Sequence, residues 1–494
     1  MSYNDCEGCH SAPRALPHPA GALILRPTRD AIPVLYDLSS QPVHIFYCQA
    51  YNGRSPLARN CAVNGEAGCH RSLVFNRSQW RSEQVSSEQI EVVVAGHICL
   101  DIIPTFQPRT TGSAEFLVPG TLVTVGPAHL STGGPVSNTG LALHRLGVPT
   151  RLMGKVGADL FGEAVLNLLR AHDPRLAAGM IVDEHESTSY SIVISPPGVD
   201  RTFLHSPGAN DTFRAADVDV RRVAGARLFH FGYPPLMREM YQHDGADLAR
   251  LMRRVKDAGL TTSLDMAYPD PETEAGRADW ARILEETLPY VDVFLPSLDE
   301  LMLMLERETF DGLHAGEPVA AQIDGGALSR LAGRVLGMGA AVVGLKLGDQ
   351  GLYLRTTDQP ERLAAMGASA PRDVSSWCGR ELLVPCFATE VVGTTGAGDA
   401  TIAGFIAALL KGLPIEQTLT MAVAVGAFNV ERADATSGIP DWATVEARVQ
   451  TGWARRPVDI VLPGWRWDEP AGVWVGPNDR VRTAEEAYWA GGNE

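Results

Sequence analysis

The chain contains no run of about 18 consecutive apolar residues, so no membrane-spanning helix is expected. Its first residues lack a basic stretch leading into an apolar core, so no secretory signal peptide is expected either. Basic charge is in short supply: 42 Lys and Arg stand against 58 Asp and Glu, a net charge of −16. That deficit argues against nucleic acid, and against an anionic membrane surface, as partners. Cysteine is sparse, with 8 in 494 residues, which is no disulfide scaffold and points to the reducing cytoplasm. No G-x-x-x-x-G-K-[ST] run occurs, because Gly154-Lys155 is followed by Val156, and this argues against a P-loop kinase. What is left is a chain with 45% hydrophobic residues, enough for a large buried core with appendages.

What the chain does contain is an alternation of short apolar strands and amphipathic helices. Strands are expected at 227–231, 261–265 and 291–295, with helices at about 236–258, 278–287 and from 297. That pattern argues for a parallel sheet covered on both faces, with ligands bound beyond the carboxyl ends of its strands. Earlier, 92–96 reads as a buried strand continued by 98–106 past Asp101, and 122–125 as another. Two further strands, 187–195 and 201–205, are joined by a turn at 196–200. A hairpin is expected around Lys346-Leu347-Gly348-Asp349-Gln350-Gly351.

The densest signal is Gly393-Thr394-Thr395-Gly396-Ala397-Gly398-Asp399, which runs straight into a helix. Ile402, Phe405, Ile406, Leu409 and Leu410 form its apolar face, Lys411 and Gly412 close it, and Pro414 prevents continuation. Glycines let backbone N–H groups converge, and the helix start adds partial positive charge, so the turn favours an anion. Asp399 then sets a carboxylate beside that cradle, a pairing suited to phosphoryl transfer. Turn chemistry alone is equally consistent with an ordinary tight turn.

The wording Gly396-Ala397-Gly398-Asp399 before an apolar helix resembles the second signature of the ribokinase-like (PfkB-type) carbohydrate kinases. Gly133-Gly134, Asn138, Leu143 to Gly147, Gly154-Lys155-Val156-Gly157 and Asp159-x-Phe161-Gly162 look like the family's first signature. The resemblance spans roughly residues 90–450. It implies an α/β three-layer sandwich with a central, mostly parallel sheet and a small β lid from parts of 98–130 and 187–205. It also implies an ATP-dependent kinase acting on a sugar or sugar acid, with Asp399 as general base and the Gly396, Ala397 and Gly398 amides as anion hole. Asp101, Gly133, Gly134 and Asn138 would hold the acceptor hydroxyls. Lys346, Gly348, Thr394 and Ser297 would lie along the nucleotide, and Glu300 would position Mg2+ through water. Ser297 stands where the family's Asn-x-x-Glu element usually has Asn, and Gly393 stands where many relatives carry Asp. A monovalent cation in the adjoining loops and a homodimer through the lid are further family traits.

Competing readings are a nucleoside kinase of the same fold and a non-catalytic sugar-binding relative, and retained Asp399 argues against the latter. Gly396-Ala397-Gly398 nearly begins a dinucleotide G-x-G-x-x-G, but Thr401 replaces the third glycine and the motif falls late in the chain. Residues 1–88 lack long periodic segments and read as a poorly ordered extension. Cys6-Glu7-Gly8-Cys9-His10 matches a haem attachment pattern that requires export, and Cys61 and Cys69 are too widely spaced for a usual zinc knuckle. From 453 onward, Trp453, Trp465, Trp467, Trp474 and Trp489 imply a tail packed on the 89–452 domain or on a partner.

Overall fold

The computed structural model describes residues 90–106, 120, 122–195, 202–314 and 316–480, all within the unit Ser87–Glu494. The 1–88 extension with its cysteine and histidine motifs, the turn at 196–200 and Trp489 lie outside the described residues.

The first eight strands are β1 (Val92–Gly96), β2 (Cys99–Pro104), β3 (Ala128–Gly133), β4 (Thr150–Met153), β5 (Lys155–Gly157), β6 (Ile181–Asp183), β7 (Tyr190–Ile194) and β8 (Thr202–Ser206). Then come β9 (Leu228–Gly232), β10 (Thr261–Leu264), β11 (Val293–Phe294), β12 (Val342–Lys346), β13 (Leu352–Thr356), β14 (Glu381–Val384), β15 (Arg466–Asp468) and β16 (Val473–Val475). Ten of them form one sheet in the order β4-β1-β9-β10-β11-β12-β13-β14-β16-β15. From β4 to β12 the strands run parallel, and the remaining four continue antiparallel.

Alternate residues of one strand show how the layers form. Val92 and Val94 of β1 face a core shared with the helices Ala397–Lys411 and Ile415–Val430. Val93 and Ala95 face the opposite core, shared with the helix Arg238–Asp257. Burial on both faces is why β1 reads as a continuous apolar run rather than an alternating one. The result is the three-layer α/β sandwich.

The lid is a separate sheet in the order β3-β2-β7-β8. Here the sequence expectation needs correction. The apolar run after β1 does not continue as one strand, because Gly96 turns with φ 123° and β2 enters the lid instead. A side chain at Gly96 would collide with the Gly232 carbonyl at 2.3 Å, so glycine is required there. The expected strand at 122–125 does not form, and Leu122 is 94% exposed. The pairing register of β2 selects Ala128–Gly133 instead, from Cys99 opposite Gly133 to Pro104 opposite Ala128. The expected helix at 236–258 is interrupted, since Gln242 to Gly245 leave helical geometry and His243 and Asp244 have φ of 53° and 55°.

The aromatic-rich segment after 453 is built into the domain. β16 pairs with β14 and extends the main sheet, and Trp453 stacks on Phe387 with ring centroids 4.5 Å apart. Its anchor is electrostatic. Asp479, with no exposed surface, accepts from Arg380 Nε and from the Glu381 N–H, each at 2.9 Å. Glu381, also fully buried, accepts from Tyr353, Ser329 and Asn478. Removing one partner of a buried pair typically costs about 3–5 kcal/mol because the other charge is left uncompensated. Asp479→Ala is therefore expected to lower the unfolding free energy by an amount in that range, read from a lower denaturant midpoint, with Asp479→Asn recovering part of it. An unchanged midpoint would show that the segment is not anchored through this carboxylate.

Candidate active site

The glycine turn and its helix sit at the carboxyl ends of the parallel strands. Gly396 is the residue before the helix Ala397–Lys411, has φ 72°, and makes no side-chain cap. A helix leaves its first amides without intrahelical acceptors. Here the Ala397 N–H turns back to the Thr394 carbonyl at 3.3 Å, so the Gly398 and Asp399 amides are the more open donors. A side chain at Gly396 would meet Ala435 Cβ at 2.7 Å, which keeps the turn tight.

Asp399 is 2% exposed and held by three donors. Asn138 Nδ2 and Tyr233 OH each reach its Oδ2 at 3.0 Å, and Thr139 Oγ1 reaches Oδ1 at 3.0 Å. Burial raises its pKa, while the Asn138 bond, the Lys346 charge and the Tyr233 and Thr139 bonds pull it back down. The carboxylate is thus more basic than an ordinary aspartate and fixed in orientation.

Asn138 comes from the helix Pro135–Arg145, which starts at Gly134 with φ 86°. It was expected to hold acceptor hydroxyls, yet its amide donates to Asp399 while its Oδ1 is buried without a partner. Gly133 and Asp101 meet across the β2–β3 region: a Cβ at 133 would lie 2.4 Å from Asp101 Oδ2, so only glycine admits that carboxylate. Burial pushes Asp101 up to about 6, against hydrogen bonds from Cys99 and Ser191. Asp101 lies on a strand, as expected, but on lid strand β2 rather than on a continuation of β1.

On the other flank, Lys346 at the end of β12 pairs with Asp265 at 2.6 Å, and Asp265 has no exposed surface. A Cβ at Gly398 would be 3.6 Å from Lys346 Nζ, so the ammonium lies against the glycine turn. Burial alone would lower Lys346, but Asp265, Glu300 and Asp399 hold it above its ordinary value. Burial raises Asp265, and its ion pair with Lys346 resists that rise. Ser297 and Glu300 form a capping box on the helix Leu298–Leu305: the Ser297 N–H donates to Glu300 Oε2 at 2.7 Å, and the Ser297 hydroxyl accepts from the Glu300 N–H at 3.2 Å. The Ser297 hydroxyl is therefore engaged in its own helix start. Gly348 has φ 59° with open space where a Cβ would be, so glycine is required for backbone shape. Thr394 contributes its carbonyl to the turn.

Three residues of this site escaped the sequence reading. Tyr233 adopts φ 64°, a costly conformation for an aromatic residue of about 1–3 kcal/mol, and its hydroxyl lands on Asp399. Thr139 is the neighbour of Asn138, and Asp265 follows β10, where a carboxylate at a strand end was the available signal. Residues after 453 also reach the hairpin: Arg456 pairs with Asp349 at 2.9 Å, and the Asp459 N–H donates to Gln350 at 2.7 Å.

A group needing Mg2+ suits these residues. The Asp265, Glu300 and Asp399 charges act together on the single Lys346 ammonium, and Asp265 Oδ2 is buried without a hydrogen-bond partner. Mg2+ is usually held by one or two carboxylates plus phosphate oxygens, with several waters retained.

Lys346→Met would strand Asp265 in the interior and is expected to cost about 3–5 kcal/mol. Asp265 has a raised folded pKa, and losing the ammonium raises it further, so the folded state of the variant binds the extra proton. The deficit should therefore shrink as pH falls and be largest above the folded pKa. Denaturant midpoints of variant and wild type at acid and alkaline pH measure this, and a pH-independent deficit would refute it.

The model of the pfkB family carbohydrate kinase matches residues 89–442. An uncharacterized sugar kinase of Archaeoglobus fulgidus is 25% identical over 300 residues, 61% of this chain and 98% of that protein. An ATP-dependent ribose-1-phosphate kinase of Halopiger xanaduensis is 25% identical over 350 residues, covering 70% of this chain and 94% of its own. Among solved structures, Arabidopsis thaliana ribokinase complexed with ribose and ATP superposes with a TM-score of 0.54 at 20% identity, over 73% of this chain and 98% of that one.

Proposed function

The chain belongs to the pfkB family of carbohydrate kinases, and we propose that it transfers the γ-phosphoryl group of ATP to a hydroxyl of a sugar or sugar acid with Asp399 as general base. The observation that carries this reading is one buried carboxylate held by three donors at an uncapped helix start. The acceptor O–H gives its proton to Asp399, its oxygen bonds to the γ-phosphorus, and the bond to the bridging oxygen breaks as ADP leaves. The open amides of Gly398 and Asp399, with Ala397 and Gly396 shaping the turn, stabilise charge on the transferred group. Mg2+ would neutralise phosphate charge when bound, with Glu300 and Asp265 as the residues that would hold it through water. Lys346, Gly348 and Thr394 border the phosphates in this reading. Asp101 and the free Oδ1 of Asn138 accept from acceptor hydroxyls, and Gly133 and Gly134 leave room for the ligand.

The same reading places no carboxylate for a monovalent cation at 393, since a side chain there would meet Ala433 at 2.9 Å. A homodimer through the lid is supported by Leu130, Phe203 and Leu204, which are 44%, 54% and 50% exposed on lid strands. The free thiols of Cys99, Cys378 and Cys386 suit a cytoplasmic setting.

Asp399→Asn is expected to fold and bind nucleotide yet lose on the order of 10² or more in turnover, the size of general-base effects. Screening ATP consumption against sugars and sugar acids supplies the assay, and undiminished turnover would sink the mechanism. Tyr233→Phe removes a bond that lowers the Asp399 pKa. Its base therefore needs a higher pH to lose its proton, and the acid limb of the rate profile should move upward. An unmoved limb would mean that Tyr233 does not tune the base.

A further inference from the structure

At the junction of lid and body, His97, Cys99 and His205 each offer a ligand atom, and these atoms lie within 4.8 Å of one another. His97 lies in the turn after β1, Cys99 on β2 and His205 on β8, so one side chain comes from the body-side turn and two from the lid. His97 Nε2 and His205 Nε2 are 3.4 Å apart. Two imidazole nitrogens, each about 2.0 Å from a tetrahedral zinc ion, lie about 3.3 Å apart, so the pair already has the required spacing. Sulfur needs about 3.5 Å to each nitrogen, a shift of about 1.3 Å at most from the 4.8 Å bound, within reach of a side-chain rotation.

The two Nε2 atoms are within hydrogen-bond distance of one another and His205 Nδ1 has Ser191, which leaves His97 Nδ1 buried without a partner. As ligands they are well prepared. Ser191 Oγ lies 3.0 Å from His205 Nδ1 and 3.7 Å from Cys99 Sγ, an outer partner that orients both. Asp101 Oδ1 accepts from Cys99 Sγ at 3.3 Å and is the adjacent oxygen for a fourth position.

We propose that His97, Cys99 and His205 form a binding site for a borderline-soft divalent cation of the zinc class, one that ties the lid to the body. Binding exchanges the Cys99 thiol proton, released to solvent, for a sulfur–metal bond. Because Asp101 is drawn to the same cation, occupancy withdraws it from the acceptor. This consequence rests on the assignment of Asp101 made above, while the site itself does not.

The test titrates chelator-washed, full-length protein with Co2+ and reads the visible and near-ultraviolet spectrum. Tetrahedral ligand-field bands and a thiolate-to-cobalt charge-transfer band, displaced by Zn2+, are expected. Cys99→Ser should remove the charge-transfer component that this site contributes, and His205→Ala, on the exposed lid strand, should weaken Co2+ binding at least tenfold. Spectra unchanged in both folded variants would overturn the site, since cysteines before residue 88 would then hold the metal. In the wild type, Zn2+ inhibition should be relieved by more acceptor and not by more Mg2+ and ATP. With the spectral site present, inhibition indifferent to acceptor would overturn the role of Asp101 alone.

Discussion

The constraint on which the structure turns is that a carboxylate must stay usable while buried. Asp399 has almost no contact with solvent, and burial by itself favours its neutral form. Its charged form is supported by a phenol, an amide and a hydroxyl, none of them adjacent to it in the chain. Two separate decisions of the fold deliver those three donors. Tyr233 requires a left-handed backbone after β9, and Asn138 and Thr139 require a helix that starts at a positive-φ glycine. The strained tyrosine is tolerated because its surroundings leave it no alternative.

The second organising feature is the way the chain leaves the main sheet. Gly96 turns the chain out of β1, so β2 carries Cys99 and Asp101 into the separate lid sheet. Gly133 then brings β3 hard against Asp101. One short excursion thus carries Asp101, proposed above to meet the acceptor, together with His97 and Cys99, while His205 of the same cluster comes from β8. On the opposite flank, the strands after 453 extend the sheet and their approach brings Arg456 and Asp459 to the hairpin that carries Gly348. The segment beyond the family match is therefore structural to the nucleotide side of the cleft in the proposed function.

Much of the fold was legible along the chain. Parallel strands such as β1 and β12 were continuous apolar runs because both faces are buried, and the intervening helices had clear apolar faces. The glycine turn before Asp399 was legible too, since its signal is local: small residues, a helix start and a carboxylate in one stretch. The errors fell where pairing decides. Leu122 to Val125 has strand-like composition but finds no partner, and the lid instead takes the less apolar Ala128–Gly133, set by register with β2. Tyr233 and Thr139 carry no local mark, because an isolated tyrosine or threonine is ordinary in any α/β protein, and Asp265 had only its place at a strand end to mark it.

The sequence by itself determined the class of fold, the glycine turn at a helix start and the carboxylate beside it, because periodicity and turn chemistry act over a few residues. Only the tertiary structure decided which groups surround that carboxylate, that Asn138 serves it through one end of its amide, and that Ser297 and Glu300 cap one another. It also decided that the aromatic-rich segment completes the sheet. Those outcomes depend on contacts between residues far apart in the chain, up to the 261 positions separating Asn138 from Asp399. No local rule encodes such a distance.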